Sequence, residues 1–117
     1  MEHGHFAYEK LDAWKVAREA LRIGLGERGS WKRLPGDLAD QLERALLSTV
    51  ANIAEGVGRE SKADQRRHYA IARASANEAG ALIDLVNLCG GLSGEAHDGM
   101  RSRLIRVIKM LNALIRR

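Results

Sequence analysis

Four histidines, one cysteine, nineteen basic and fifteen acidic side chains are the groups in this 117-residue chain that could do chemistry. Their spacing assembles no reaction centre. His3 and His5 lie beside the N-terminal amine. An amine, two amides and His3 can wrap a copper or nickel ion in a square plane, and a loose arm is the alternative. His68 falls on the inner face of an expected helix near Ser75, with no carboxylate at helical spacing to orient it. It reads as a histidine bonded to a hydroxyl or to backbone. His97 falls in an expected loop. One cysteine among scattered histidines gives no zinc spacing. Cys89 ends a helix, where the dipole opposes a thiolate. A lone cysteine forms no internal disulfide, which agrees with a reducing cytoplasm. Gly56 and Gly58 lack the preceding strand and the further glycines of a phosphate loop. No base, nucleophile or metal cluster is assembled, so the sequence reads as a non-enzyme with no cofactor and no metal.

The basic residues are the remaining candidates. The last eighteen residues carry six basic side chains and no acid, while the rest of the chain holds thirteen bases against fifteen acids. All of the net charge of +4 therefore sits in the final segment. Arg59, Lys62, Arg66 and Arg67 cluster near a turn, and Arg103, Arg106, Lys109, Arg116 and Arg117 follow in the last helix. A solvated helix face explains Arg116 and Arg117, which favour a helix C-terminus. It does not explain Arg103 and Arg106, read as near the helix start. No aromatic residues interleave with these charges, so the expected binding is to RNA or DNA phosphates, without base stacking. The alternative is a protein-interaction scaffold whose charges serve solubility.

Four amphipathic helices must position these groups. The first is expected over about 9–28, after a loose arm at 1–8, with Leu11, Trp14, Ala17, Leu21 and Leu25 on one stripe and Val16, Ala20 and Ile23 on another. Trp31 and Leu34 fold back as a plug. The second helix spans 37–56. Its polar stripe runs through Gln41, Arg44, Ser48, Asn52 and Glu55. Asn52 reads as bonding backbone at a crossing, and Glu55 as pairing with Arg59 or Arg73; the functional alternative makes Asn52, Glu55 and Arg59 a polar site. Gly56 reads as a left-handed C-cap, and Gly58 as keeping the turn tight. The third helix covers 62–89, capped by Ser61 with Asp64 three residues on. Its inner face is Ile71, Ala72, Ser75, Ala79, Leu82, Ile83 and Val86, and Arg66, Arg73, Asn77 and Asp84 lie outward. The fourth covers 95–116. Short connections make this an all-α, antiparallel up-and-down four-helix bundle, one domain over 1–117. No apolar run reaches the roughly 20 residues of a membrane span. The surplus apolar surface of the first two helices is expected to lie between subunits.

One stretch has a specific pattern. Gln41, Leu42, Arg44 and Ala45 lead into Asn52-Ile53-Ala54-Glu55-Gly56, then Gly58 and Arg59, then Ser75 and Glu78. With Leu11 and Trp14 before it, and Met110, Leu111, Leu114 and Ile115 after it, the chain resembles a bacterial four-helix-bundle family. That family includes proteins encoded in intervening sequences of 23S ribosomal RNA genes and the accessory variability determinant of diversity-generating retroelements. The resemblance implies a homopentamer, basic overall, with no enzymatic activity. For retroelement members it implies a reverse transcriptase and nucleic acid as partners. Glu43 departs from the pattern, standing where many members carry arginine.

Overall fold

Leu11 interrupts what the periodicity reads as one helix. Its extended backbone (φ −89°, ψ 120°) separates a 3-10 turn, Ala7–Lys10, from α1, Asp12–Gly26. Ala7 and Tyr8 therefore belong to an ordered turn and not to a loose arm. The structure is a computed structural model and describes residues 4–117; His3 and the N-terminal amine lie outside the described residues. A second 3-10 turn, Arg28–Ser30, leads into α2, Leu38–Val57. Then come α3, Lys62–Leu88, and α4, Gly94–Arg116. The described residues contain no strand.

Each boundary has a local cause. Ser61 accepts the Asp64 backbone N–H at 3.1 Å and starts α3, and Ser93 accepts that of Ala96 at 3.0 Å and starts α4. Such side-chain caps satisfy donors that have no partner within the helix. At the end of α3, Gly90 takes φ +82° and the Gly91 N–H reaches back to the Val86 carbonyl at 2.9 Å. Glycine is the residue that enters this left-handed region without a Cβ clash.

The helices close a ring in which α1 and α3 each pack against both α2 and α4, and neighbours run antiparallel. This is a four-helix bundle. Leu42, Leu46, Ile53, Ile83, Val86, Met100, Val107 and Leu111 fill its centre. The two apolar stripes of α1 are absorbed inside one subunit. Ala13, Ala17 and Ala20 are buried, and Leu11, Trp14, Val16, Leu21 and Ile23 pack against the core. The apolar surface left in water lies elsewhere, on Ile71, Leu85 and Leu88 of α3, on Leu47 of α2 and on Ile105 of α4.

The far end of the bundle is tied across the chain. Trp31 is buried and donates its indole N–H to the Gly91 carbonyl at 3.0 Å. The Glu27 carboxylate accepts the Ser93 N–H at 2.8 Å. Trp31 and Leu34 thus act as the expected plug.

Candidate nucleic-acid interface

The polar stripe of α2 is a connected network against α3. The Asn52 amide donates to the Ser48 carbonyl at 2.9 Å and to its hydroxyl at 3.1 Å. Ser48 and Ser75 share a hydroxyl–hydroxyl bond of 2.8 Å. His68 is buried, with Nδ1 3.3 Å from Asn52 Oδ1 and Nε2 3.1 Å from the Arg67 guanidinium. A guanidinium only donates, so Nε2 accepts and Nδ1–H donates to Asn52. Sequence spacing placed His68 near Ser75 but missed Asn52 as its partner, because the two are joined only when α2 packs on α3.

Gly56 has a different role from the one its position implies. It lies inside α2, and the residue after that helix, Gly58, has φ −81°. Neither glycine is left-handed. A Cβ on Gly56 would stand 2.6 Å from Cε1 of Tyr69, so the glycine is there to admit a ring. The same Cβ on Gly58 would make only ordinary contacts, 3.6 Å and beyond, so nothing within the subunit requires glycine there. Burial raises the Tyr69 phenol above its ordinary value, with Arg117 pulling weakly the other way. A phenol whose folded value is raised gives stability that is whole below the unfolded value, about 10, and lost as pH rises above it. Denaturant titrations from neutral to alkaline pH should show this decline, and Tyr69→Phe should flatten it.

The basic candidates are not one patch. Arg59 pairs with Glu55 at 3.1 Å and with Asp64 at 3.6 Å, and Arg67 pairs with Asp64 at 3.0 Å. Arg73 was expected outward or beside Glu55, but it is half-buried and donates to Asn112 of α4 at 2.9 Å. Arg103 lies in the third turn of α4, beyond the reach of the N-terminal dipole. It folds back onto the Gly99 carbonyl at 3.0 Å, beside Glu19 of α1. The dipole argument for Arg103 and Arg106 therefore lapses. Arg103 and Arg116 are roughly 20 Å apart along the helix at 1.5 Å per residue. Arg106, Lys109 and Arg116 are exposed and take part in no ion pair among the described residues.

Lys62, Arg66 and Arg117 do converge. With Gln65, Tyr69 and Leu114 they line a cleft of about 270 Å³ where α3 begins and α4 ends. Arg66 reaches the Arg117 carbonyl oxygen at 2.9 Å. No Asp or Glu side chain is among the residues that line this cleft. Arg44 and Glu78 are exposed. Glu43, the departure from the pattern, is held by Arg28 at 2.6 Å.

Aromatic residues do meet charge, contrary to the expectation from sequence. Phe6 stacks on Tyr8 with centroids 5.5 Å apart, and Tyr8 meets Trp14 at 4.6 Å. Tyr8 and Trp14 face Val50, Ala51, Ala54, Glu55, Gly58 and Arg59 across an open hollow of about 610 Å³. Sequence offered no signal for this, because the aromatics precede Arg59 by more than forty residues.

Other candidates resolve simply. His97 is in α4 and not in a loop, 2.8 Å from Asp84 and 3.6 Å from Asp98. Cys89 is a free, exposed thiol at the end of α3. Among the described residues no three of His, Cys, Asp and Glu are placed to hold a metal ion. No helix among the described residues is long and apolar enough to cross a membrane.

The model of the 23S rRNA-intervening sequence protein family matches residues 9–113. A crystal structure of a protein of unknown function from the S23 ribosomal protein family, from Bacteroides thetaiotaomicron, is similar in fold. Its TM-score is 0.78 at 22% identity, covering 90% of this chain and 99% of that one. No curated protein matches the chain.

Proposed function

This chain belongs to the 23S rRNA-intervening sequence protein family, and from that membership we propose that it is a non-enzymatic, homo-oligomeric, cytoplasmic scaffold that binds RNA or DNA through phosphate contacts. The observation that carries this reading is the set of exposed bases on α4 with no acid beside them, Arg106, Lys109 and Arg116, together with the cleft of Lys62, Arg66 and Arg117, which no Asp or Glu side chain lines. Arg106, Lys109 and Arg116, which have no ion-pair partner among the described residues, remain free to displace counterions from a polyanion. The outward face of α3, with Ile71, Leu85 and Leu88, supports self-association, since exposed apolar area of this kind is costly to leave in water. A ring would repeat each basic surface and raise avidity without new contacts.

Fluorescence anisotropy with a labelled nucleic acid tests the binding. The reading expects affinity that falls steeply with salt. Replacing Arg106, Lys109 and Arg116 together by glutamine should lower it alike for all sequences and reduce the salt slope by about 3. Absence of binding at about 50 mM salt would overturn it. Light scattering tests self-association, with Leu85→Glu expected to yield the single subunit. The exposed α3 face also favours a second reading, in which another helical protein occupies it and the charges serve solubility. Recovery of such a protein, with no nucleic acid bound, would select that reading.

A further inference from the structure

Antiparallel succession brings the start of α1, the α2–α3 turn and the end of α4 to the same end of the bundle. Phe6, Tyr8 and Trp14 gather there, three of the five aromatic residues in the chain. Phe6 is 68% exposed, which leaves an unusually large apolar ring in water beside its stacked neighbour. On the other side of the Tyr8–Trp14 pair, Lys15 and Arg18 line a second hollow of about 440 Å³ with Glu9 and Glu19. Cations thus flank the aromatic pair on both sides. This is the arrangement by which proteins hold single strands, with rings under the bases and charge along the backbone.

We propose that the hollow between the Tyr8–Trp14 pair and α2 receives an unpaired base of RNA, with the strand's phosphates meeting the cations that flank the pair. The inference rests on the phosphate-binding reading above and adds the state of the nucleic acid that the site takes. A volume of about 610 Å³ lies within the range of small-molecule sites. The α2 side of the hollow offers Val50, Ala51 and Ala54, an apolar surface suited to the flat face of a base. In the hollow, Glu55 already engages Arg59, so the local charge is nearly balanced and suits a neutral base. A duplex buries its base faces in stacking and cannot offer one to Tyr8. Unpaired bases are the ordinary content of RNA loops and bulges, which favours RNA as the occupant.

The test compares four labelled probes on the full chain: an oligouridine of about 12 nucleotides, the matching deoxy strand, an abasic strand of equal length and an RNA duplex. Oligouridine should bind about five- to a hundredfold tighter than the abasic strand, the range set by stacking one base. Tyr8→Ala should remove that advantage and leave duplex and abasic binding unchanged. Phe6→Ala, at a side chain outside the core, should remove part of it and provides a variant that does not disturb packing. Trp14 emission should be quenched by oligouridine only. Equal binding of oligouridine and the abasic strand, or equal weakening of both by Tyr8→Ala, overturns the base hollow and leaves phosphate binding standing. Tighter binding of the matching deoxy strand overturns the choice of RNA. No binding of any probe overturns the phosphate reading and this one with it.

Discussion

Gly56→Ala should destabilise the protein, although alanine is the better helix former. Alanine would gain much less than the roughly 1 kcal/mol of a helix interior, because Gly56 lies in the last turn of α2. Against it, the new Cβ would stand 2.6 Å and 2.8 Å from two ring carbons of Tyr69 and 3.3 Å from the Gln65 carbonyl. Tyr69 is 7% exposed and so has little free space to swing into. Overpacking a tight core costs about 1–3 kcal/mol, and here it falls on a ring edge and a fixed backbone oxygen together. We expect a net loss of about 1–2 kcal/mol and a Tm lower by roughly 5–10 °C. Tyr69→Leu should suppress part of the loss, so the double variant should be more stable than the sum of the single changes allows. Thermal melts of the four proteins decide it. An unchanged or raised Tm for Gly56→Ala would show that α2 and α3 are not in this close contact.

Asn52→Leu should cost about 1–3 kcal/mol, and a second substitution should recover most of it. The Asn52 side chain is the sole partner described for His68 Nδ1 and also donates to Ser48. Leucine keeps the volume but strands the buried imidazole donor, and an unsatisfied buried polar group costs about 1–3 kcal/mol. His68→Leu in the same chain removes the stranded group. Replacing both partners of a buried hydrogen bond by apolar groups is nearly neutral. Urea denaturation should therefore place the double variant near the parent and Asn52→Leu well below both. If the single variant matched the parent, the network would contribute nothing to stability.

The helices and their starts were legible because their causes are local. Ser61 and Ser93 are followed at the right distance by the backbone N–H groups they cap. Glycine at 90 marks a true left-handed stop. Gly56 shows the limit of the same rule. A glycine near a helix end has two uses, a positive φ or room for a neighbour, and only the position of Tyr69 distinguishes them. On α3 the inner face holds at Ala72, Ala79, Leu82, Ile83, Val86 and His68, and fails at Ile71. Hydrophobicity selects Ile71, but Gly56 of α2 leaves room for a ring, so Tyr69 fits inside and Ile71 stays out. Among the candidate binding residues, Lys62 and Arg66 were grouped because they are close in sequence, whereas their convergence with Arg117 is tertiary. Tyr8 and Trp14 were passed over because their link to Arg59 is tertiary. Arg103 was over-read, since its side chain is spent on Gly99. Leu11 went unnoticed as a break, because one extended residue leaves the apolar spacing intact.

The Trp31 and Glu27 ties lock one pole of the bundle. Both cross-links, to Gly91 and to Ser93, clamp the same pair of loops. At the opposite end, a short turn precedes Leu11, and charged side chains rather than an indole bridge span the gap. Amides at Gly91 and Ser93 should accordingly resist deuterium exchange better than those of an untied loop.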